Sequence, residues 1–175
     1  MTDLGLDYAF PPRPDLDVAW AQGFRVVSRY LSWLPNPKCI DAAELAELLA
    51  HGFEVALNWE FDAHDALGGA PLGGTHGTEA VRQAQALGYP AGATVYFSAD
   101  FDETPEQAPT VDAYMRAAAT RAHAAGYRMG AYGGYWTILR LFDAGTIDDG
   151  WQTYGWSGGQ WDPRVAMRQI HNGVN

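Results

Sequence analysis

The sequence is poor in cysteine, in basic residues and in long apolar runs. Its one cysteine, Cys39, has no second thiol for an internal disulfide or a metal site, so a buried structural thiol is expected. Eleven lysine and arginine residues stand against 21 acidic residues, which gives a net charge of −10. Because nucleic acids and anionic membranes are bound through clustered positive charge, neither is an expected partner.

Other familiar signals are also missing. No run of about 18 apolar residues occurs, so no membrane span is predicted, and the first residues lack the basic and apolar regions of a signal peptide. The five histidines show no metal-ligand spacing, and no serine or cysteine lies in a nucleophile-elbow pattern. The sequence therefore predicts neither a metal nor a cofactor.

What is present is a composition that supports a folded core. Hydrophobic residues make up 47% of the 175 residues and aromatic residues 13%. A chain of this length buries enough apolar surface for one domain, so residues 1–175 are predicted to form a single domain.

Short apolar runs alternate with helical patterns along most of the chain. The patterns predict strands over 24–30, 54–59, 93–98 and 128–132, and helices over 15–22, 41–51, 78–87, 105–125 and 135–143. This alternation favours a parallel sheet with helices packed outside it.

The C-terminal part departs from that alternation. Two strand-like stretches, 151–156 and 165–171, have no helical pattern between them. About five βα units followed by helix-free strands predict an α/β fold of the irregular (β/α) TIM-like barrel type, with an open doubly wound sheet as the alternative. The glycine-rich stretches 67–77 and 155–163 are predicted to be flexible loops at the rim.

Polar residues follow several of the predicted strands. Four apolar segments run into a carboxylate or a tyrosine, and they lead to Asp7-Tyr8, Glu60, Asp100-Phe-Asp102 and Tyr132. Because the carboxyl ends of parallel strands meet at one edge, these side chains are expected to converge there. Several carboxylates without a basic counterweight nearby in sequence favour an acid–base site.

Each carboxylate also has a simpler interpretation. If the strand continues through Asp102, Asp100 and Asp102 share one face and repel each other, which raises one pKa; otherwise Asp102 caps the next helix. Glu60 has the alternative of a solvated loop acid. Asp7 interrupts an apolar strand and needs a function or a partner; Arg29 on the adjacent strand is the candidate partner, and both interpretations can hold together.

Aromatic residues crowd the same strand ends. Most aromatic residues are core or loop anchors, but flat rings with polar edges also suit a sugar. The candidate substrate-binding residues are Tyr8, Arg29, Trp59, Tyr132, Trp136 and Gln169.

Several short motifs occur together in a fixed order. They are Gly5-Leu-Asp-Tyr8, Ser28-Arg-Tyr-Leu31, Lys38 to Ile40, Leu57-Asn-Trp-Glu60, Tyr96-Phe-Ser-Ala-Asp-Phe-Asp102 and Gly130-Ala-Tyr-Gly133. In this order the chain, as far as about Gln169, resembles the glycoside-hydrolase-like domain of actinobacteria and their phages. That group is similar to the family-25 glycoside hydrolases, lysozymes that cut peptidoglycan.

The resemblance implies a barrel with a cleft at the carboxyl edge and hydrolysis of a β-1,4 glycan such as peptidoglycan. Asp7 matches the first-strand Asp of the lysozymes, Asp100 the first acid of their Asp-x-Glu motif, and Asp102 stands where they carry the proton-donating Glu. Asp102 is one methylene shorter than that Glu, so Glu60 is the alternative donor. A further Asp near the end of the lysozyme barrel has no counterpart in Gln169–Asn175.

The predicted function is therefore a muramidase-like glycosidase that works at the cell envelope with the catalytic carboxylates Asp7, Glu60, Asp100 and Asp102. The alternative is a glycan-binding module that has kept the barrel and lost turnover, since a fold alone does not prove activity. The glycan is the one expected partner, and the oligomeric state is left open.

Overall fold

A parallel sheet forms the frame on which the candidate site is built. The computed structural model describes residues 3–173, and within it seven strands pair in the order β1 to β7 with every neighbouring pair parallel. Residues 1, 2, 174 and 175, which complete the predicted domain, lie outside the described part of the chain.

Strands and helices alternate through the first five strands. The strands are β1 (Leu4–Asp7), β2 (Phe24–Leu31), β3 (Glu54–Trp59), β4 (Thr94–Ser98), β5 (Arg128–Gly133), β6 (Asp149–Thr153) and β7 (Met167–Gln169). The helices are α1 (Leu16–Ala21), α2 (Ala42–Ala50), α3 (Gly69–Ala86), α4 (Ala108–Ala124) and α5 (Tyr135–Asp143), with a short 3₁₀ helix at Asp65–Gly68 before α3. Turns, and no helix, fill the described residues between β6 and β7.

The sheet curls into a half-barrel, with β1 and β7 at opposite edges of the strand order. The predicted α/β class with parallel strands is confirmed, and the strand count is seven. The tail prediction is confirmed too, although its two strands are shorter than the predicted 151–156 and 165–171.

Local sequence signals explain where two of the helices begin. Asp15 and Asp41 have extended backbones, and their carboxylates accept hydrogen bonds from the amides of Val18 (3.0 Å) and Glu44 (2.8 Å). Each aspartate thereby satisfies an amide that the first helical turn leaves without a partner.

The main core lies between the sheet and the helices. Its largest members are completely buried and come from both layers: Leu31, Leu57, Trp59, Phe97, Met129, Leu48, Met115, Tyr114, Ile138 and Leu141. A second, smaller cluster lies on the inner face of the curled sheet and contains Ala56, Tyr96, Tyr132 and Trp151. Alternation along each strand therefore sends one set of side chains to the helices and the other into the half-barrel.

The prediction of a flexible loop over 67–77 is wrong, because these residues form the 3₁₀ helix and the first half of α3. The glycines serve close helix packing. A Cβ on Gly73 would lie 2.2 Å from the carbonyl oxygen of Tyr114 on α4, and one on Gly77 would lie 3.0 Å from the Cα of Ala118. The glycines at 73 and 77 are explained by the close approach of α3 and α4, and not by a turn of the chain.

Gly73→Ala is expected to destabilise the protein, by about 1–3 kcal/mol, because the added methyl group overpacks the contact between α3 and α4. The matched control is Gly74→Ala, since a Cβ at Gly74 meets no atom within 4 Å. Alanine is the better helix former, so the control should gain about 0.5–1 kcal/mol. Urea denaturation of both variants tests this pair, and equal effects would contradict the packing argument.

Candidate functional site

The carboxyl edge of the sheet gathers polar side chains from successive strands. Asp7 ends β1, Glu60 directly follows β3, and Asp100 lies two residues beyond β4. All seven strands are parallel, so their carboxyl ends face the same way and bring these loops together. The convergence expected from the sequence is thus present for three of the four predicted carboxylates.

Asp7 is held by a tyrosine of the neighbouring strand. The hydroxyl of Tyr30 donates to Asp7 Oδ2 at 2.9 Å, and Asp7 is exposed at the end of β1. The pKa of Asp7 is raised above its ordinary value, mainly because the surrounding protein displaces water from the carboxylate. The hydrogen bond from Tyr30 opposes this rise, and the negative charge of Glu60 adds to it. Burial also raises the pKa of Tyr30, whose hydroxyl faces the Asp7 and Glu60 charges and remains a donor.

Glu60 forms an ion pair with Lys38. The ammonium contacts Glu60 Oε1 and lies 4.3 Å from the centre of the Tyr30 ring, and both charged side chains are largely buried. Lys38 was not selected from the sequence as a site residue. The available signal was that it is the only lysine of the chain.

Asp100 forms the third carboxylate of the cluster and is partly buried. Burial raises the pKa of Asp100, and repulsion from Glu60 adds to that effect, whereas the Tyr132 hydroxyl and Lys38 lower the pKa in part. Asp102 is not among the groups that shift this pKa. The two carboxyls that perturb Asp100 are Glu60 and Asp7, which belong to other strands.

Tyr132 and Gln169 lie together on the inner face. The Tyr132 hydroxyl donates to Gln169 Oε1 at 2.9 Å, and the hydroxyl of Thr153 donates to the same oxygen at 2.7 Å. Three strands, β5, β6 and β7, are joined by this contact. Its amide and hydroxyl groups are of the type that binds sugar hydroxyls.

Deeper on the inner face the half-barrel is filled and polar. Asn58 donates to Ser98 Oγ at 2.8 Å, and Ser28 Oγ is buried without a hydrogen-bond partner among the described residues. Gly130 leaves room for the Tyr96 ring, since a Cβ there would lie 2.3 Å from a ring carbon. Side chains therefore fill the inner face of the half-barrel below the carboxylates.

Asp102 lies apart from the cluster. Strand β4 ends at Ser98, so the two-residue alternation that would place Asp100 and Asp102 on one face does not extend to them. Asp102 is exposed in an irregular segment, and the helix that follows begins only at Ala108. The structure brings Asp7, Glu60 and Asp100 together and leaves Asp102 at the surface.

Arg29, the candidate partner predicted for Asp7, pairs with Glu44 instead. Arg29 lies on the helix side of β2, where its Nε donates to Glu44 Oε1 at 2.6 Å and its Nη2 to Oε2 at 3.2 Å. The Tyr8 hydroxyl donates to the same carboxylate at 2.7 Å, and the Arg29 guanidinium lies 4.2 Å from the Tyr8 ring centre. Both residues line a groove of about 850 Å³ outside the half-barrel.

The two predicted tryptophans differ in their surroundings. Trp59 is completely buried on the helix side of β3, 5.3 Å from the Trp33 ring and 5.0 Å from the His76 ring, so it offers no face to a sugar. Trp136, in the first turn of α5, is 59% exposed and packs edge-on against Tyr135. Of the two, only Trp136 presents a ring to solvent.

Other features of the described residues complete the picture. Cys39 is a free, half-buried thiol, and burial raises its pKa. Within residues 3–173, no three histidine, cysteine or acidic side chains are arranged to hold a metal ion. None of the helices described is both long and apolar enough to cross a membrane.

The fold and the acidic cleft at its carboxyl edge define an α/β protein of the TIM-barrel-like class. Residues 17–175 match the profile of the Rv2525c-like, glycoside hydrolase-like domain, and the chain belongs to that family. No curated protein matches the sequence at a significant level.

Solved structures share the fold. The Tat-secreted protein Rv2525c of Mycobacterium tuberculosis in complex with HEPES superposes with a TM-score of 0.84 at 23% identity, over 96% of this chain and 87% of that one. Its complex with L-tartrate gives a TM-score of 0.82 at 26% identity, over 94% and 84%. An L-ribulose 3-epimerase gives a TM-score of 0.54 at 17% identity, over 87% and 60%, and shows likeness of fold alone.

Proposed function

We propose that the protein hydrolyses β-1,4 glycosidic bonds of a bacterial cell-wall glycan such as peptidoglycan by carboxylate acid–base catalysis. The observation that carries this proposal is the meeting of Asp7, Glu60 and Asp100 in one partly open cleft. Membership of a glycoside hydrolase-like family supports a glycan as the ligand. The Tat secretion of the Mycobacterium tuberculosis relative supports a site of action at the cell envelope.

The environments of the carboxylates favour different roles. Glu60 is paired with Lys38, and this contact favours a stabilising role for its carboxylate. Burial and the Glu60 charge raise the pKa of both Asp100 and Asp7, but Asp7 accepts the Tyr30 hydrogen bond, which favours its ionised form, so Asp100 is the proposed holder of the proton. In the proposed reaction Asp100 protonates the leaving glycosidic oxygen, while Glu60 or Asp7 stabilises the oxocarbenium-like centre. Water then adds to the anomeric carbon and returns a proton to a carboxylate.

Asp102 is the alternative proton donor, because it occupies the donor position implied by the resemblance to the lysozymes. Glu60 and Asp7 shift the pKa of Asp100 and Asp102 does not, which argues against a place for Asp102 in the cluster.

The substrate-binding part of the proposal rests on the inner face and the rim. Tyr132 and Gln169 supply hydroxyl and amide groups beside Asp100. Trp136 supplies an exposed ring on which a sugar ring can stack. Tyr8 and Arg29 would contribute from the groove outside the half-barrel, and only if a long glycan extends that far.

A glycan-binding module without turnover is the second candidate function. It is favoured by one observation, the ion pair that occupies Glu60 and leaves fewer free carboxylates for chemistry. Such a module would retain the exposed Trp136 and the polar inner face. It would bind glycan and release no products.

Release of reducing ends from purified peptidoglycan at pH 5–7 tests the two candidates. Wild type should release them, and Asp7→Asn, which keeps an acceptor for the Tyr30 hydroxyl, should be slower by at least about 100-fold. Asp17→Asn is the matched control, because Asp17 is almost fully exposed on α1. Binding without release by wild type would favour the module, and neither binding nor release would contradict both candidates.

A further inference from the structure

Lys38 has an unusual place for a lysine in this chain. It is the only lysine among 175 residues, and it is 9% exposed. Lysine side chains are rarely buried unless they are paired. The burial of the Lys38 ammonium is therefore explained by its ion pair with Glu60, and its position in the carboxylate cluster points to a structural task there.

The backbone around Lys38 is tied to the sheet. The Lys38 amide donates to Asn36 Oδ1 at 3.0 Å, Cys39 forms a parallel bridge with Tyr30, and the Ile40 amide donates to the Tyr30 carbonyl at 3.0 Å. This segment between β2 and α2 thus runs beside the end of β2. The backbone that carries the Lys38 side chain is therefore held in place by hydrogen bonds to β2 and within the segment.

The ammonium joins two parts of the carboxylate cluster. On one side it pairs with Glu60, and on the other it lies over the ring of Tyr30, whose hydroxyl donates to Asp7. The chain of contacts runs from Glu60 through Lys38 and Tyr30 to Asp7. The nearby cation Arg29 is committed to Glu44, so Lys38 is the cation in direct contact with the cluster among the described residues.

We propose that Lys38 is the positioning residue of the cluster: its ammonium clamps Glu60 and Tyr30, and through Tyr30 it fixes the orientation of Asp7. The clamp is made of one ion pair, one cation–π contact and one hydrogen bond, all partly or fully buried. The catalytic meaning of the clamp rests on the proposed glycosidase function. Its geometry does not.

The charged and titratable groups around the clamp come from strands β1 to β5 or the residues just after them, and from the segment between β2 and α2. The pKa of Asp7 is shifted by Tyr30, Glu60, Arg29 and Lys38, and the pKa of Asp100 by Glu60, Tyr132, Lys38 and Asp7. Lys38 lowers the pKa of both aspartates, so its removal should raise both. Cys39 also faces Arg29 and Lys38, which lower the pKa of its thiol.

Carboxyl ¹³C NMR titration of aspartate-labelled protein tests the proposal without any need for activity. In Lys38→Met the titrations of Asp7 and Asp100 should move to higher pH, and in Lys38→Arg they should return towards wild type. Arg116→Met is the matched control, because Arg116 is exposed on α4 and its loss also removes one positive charge. Unchanged titrations in a folded Lys38→Met would overturn the proposal.

A second measurement covers the case in which Lys38→Met does not fold. Lysine labelled with ¹⁵N at Nζ gives a single side-chain ammonium signal, since the chain has one lysine. In wild type its protons should exchange slowly with water, and Glu60→Gln should accelerate that exchange. Rapid exchange in wild type, like that of free lysine, would contradict the clamp.

Kinetics distinguish this inference from the proposed function. If wild type hydrolyses glycan, Lys38→Met should lower kcat by about 10–100-fold with a smaller change in KM. The acid limb of the pH–rate profile should also move to higher pH, because the pKa values of the aspartates rise. If wild type shows no hydrolysis while the titrations move as expected, the glycosidase proposal fails and the clamp stands. If Lys38→Met hydrolyses glycan and its acid limb stays at the wild-type pH, the positioning role of Lys38 is wrong and the glycosidase proposal still holds.

Discussion

Asp100→Asn is expected to lower the rate of glycan hydrolysis by about 10²–10⁴-fold while the protein stays folded. General acid catalysis by a positioned side chain contributes a factor of that size. Asparagine keeps the shape of the side chain and its contact with Tyr132, but it has no proton to give to the glycosidic oxygen. The loss should appear in kcat, measured as release of reducing ends under saturating glycan.

The stability of the same variant gives an independent readout. Folding raises the pKa of Asp100 above its ordinary value, so the folded protein binds this proton more tightly than the unfolded chain does. Ionisation of Asp100 therefore costs stability as pH rises from the unfolded pKa through the folded one. The neutral amide of Asp100→Asn has no such cost, so the variant should resist urea better than wild type at neutral pH, and this advantage should fade as the pH falls below the unfolded pKa.

Asp102→Asn is the informative comparison. If Asp100 is the donor, Asp102→Asn should retain most of the wild-type rate, because Asp102 is exposed outside the cluster. A full loss of rate in Asp102→Asn with activity retained in Asp100→Asn would assign the donor to Asp102.

The carboxylate edge was predictable because it follows from chain direction. Parallel strands place their carboxyl ends at one edge, and Asp7, Glu60 and Asp100 each follow an apolar run that is long enough to be a strand. Neither a side chain contact nor an alignment is needed for that step. The same reasoning identified Tyr132 on β5.

Facing and pairing were less predictable, because they depend on single-residue register and on contacts distant in sequence. Trp59 neighbours Glu60 in sequence, yet it points to the helices and is completely buried. Asp102 required a strand four residues longer than β4, which ends at Ser98. The Lys38–Glu60 pair joins residues 22 positions apart, and neither the spacing nor the composition of the two segments predicts that they are in contact.

Arg29 illustrates how partner choice decides a residue's role. A buried arginine at a strand end suits either a carboxylate of the site or one in the core, and the sequence offered Asp7 only as a candidate partner. The structure pairs Arg29 with Glu44 of α2, with side-chain exposures of 3% and 2%. Glu44 also accepts from the Tyr8 hydroxyl and lies 3.2 Å from Arg13. This pair joins β2 to α2 and supports the backbone next to Asp7, because Arg29 also donates to the Tyr8 carbonyl.

Arg29→Met is expected to destabilise the protein by about 3–5 kcal/mol, because it leaves the buried Glu44 carboxylate without its main partner. Glu44→Leu should cost a similar amount by leaving the guanidinium unpaired. The double variant should be less destabilised than the sum of the two, since it buries neither lone charge. Full recovery is not expected, because the Tyr8 hydroxyl also loses its acceptor.

Urea denaturation of the two single variants and the double variant measures the coupling as a double-mutant cycle. The matched control is the pair Arg82–Glu79 on α3, whose arginine side chain is 59% exposed and whose loss should leave the urea midpoint nearly unchanged. Strictly additive costs at Arg29 and Glu44 would mean that the two charges do not stabilise each other. A large coupling would assign Arg29 to the architecture of the β1 and β2 ends, with its effect on any glycan exerted through the position of Asp7 and Tyr8.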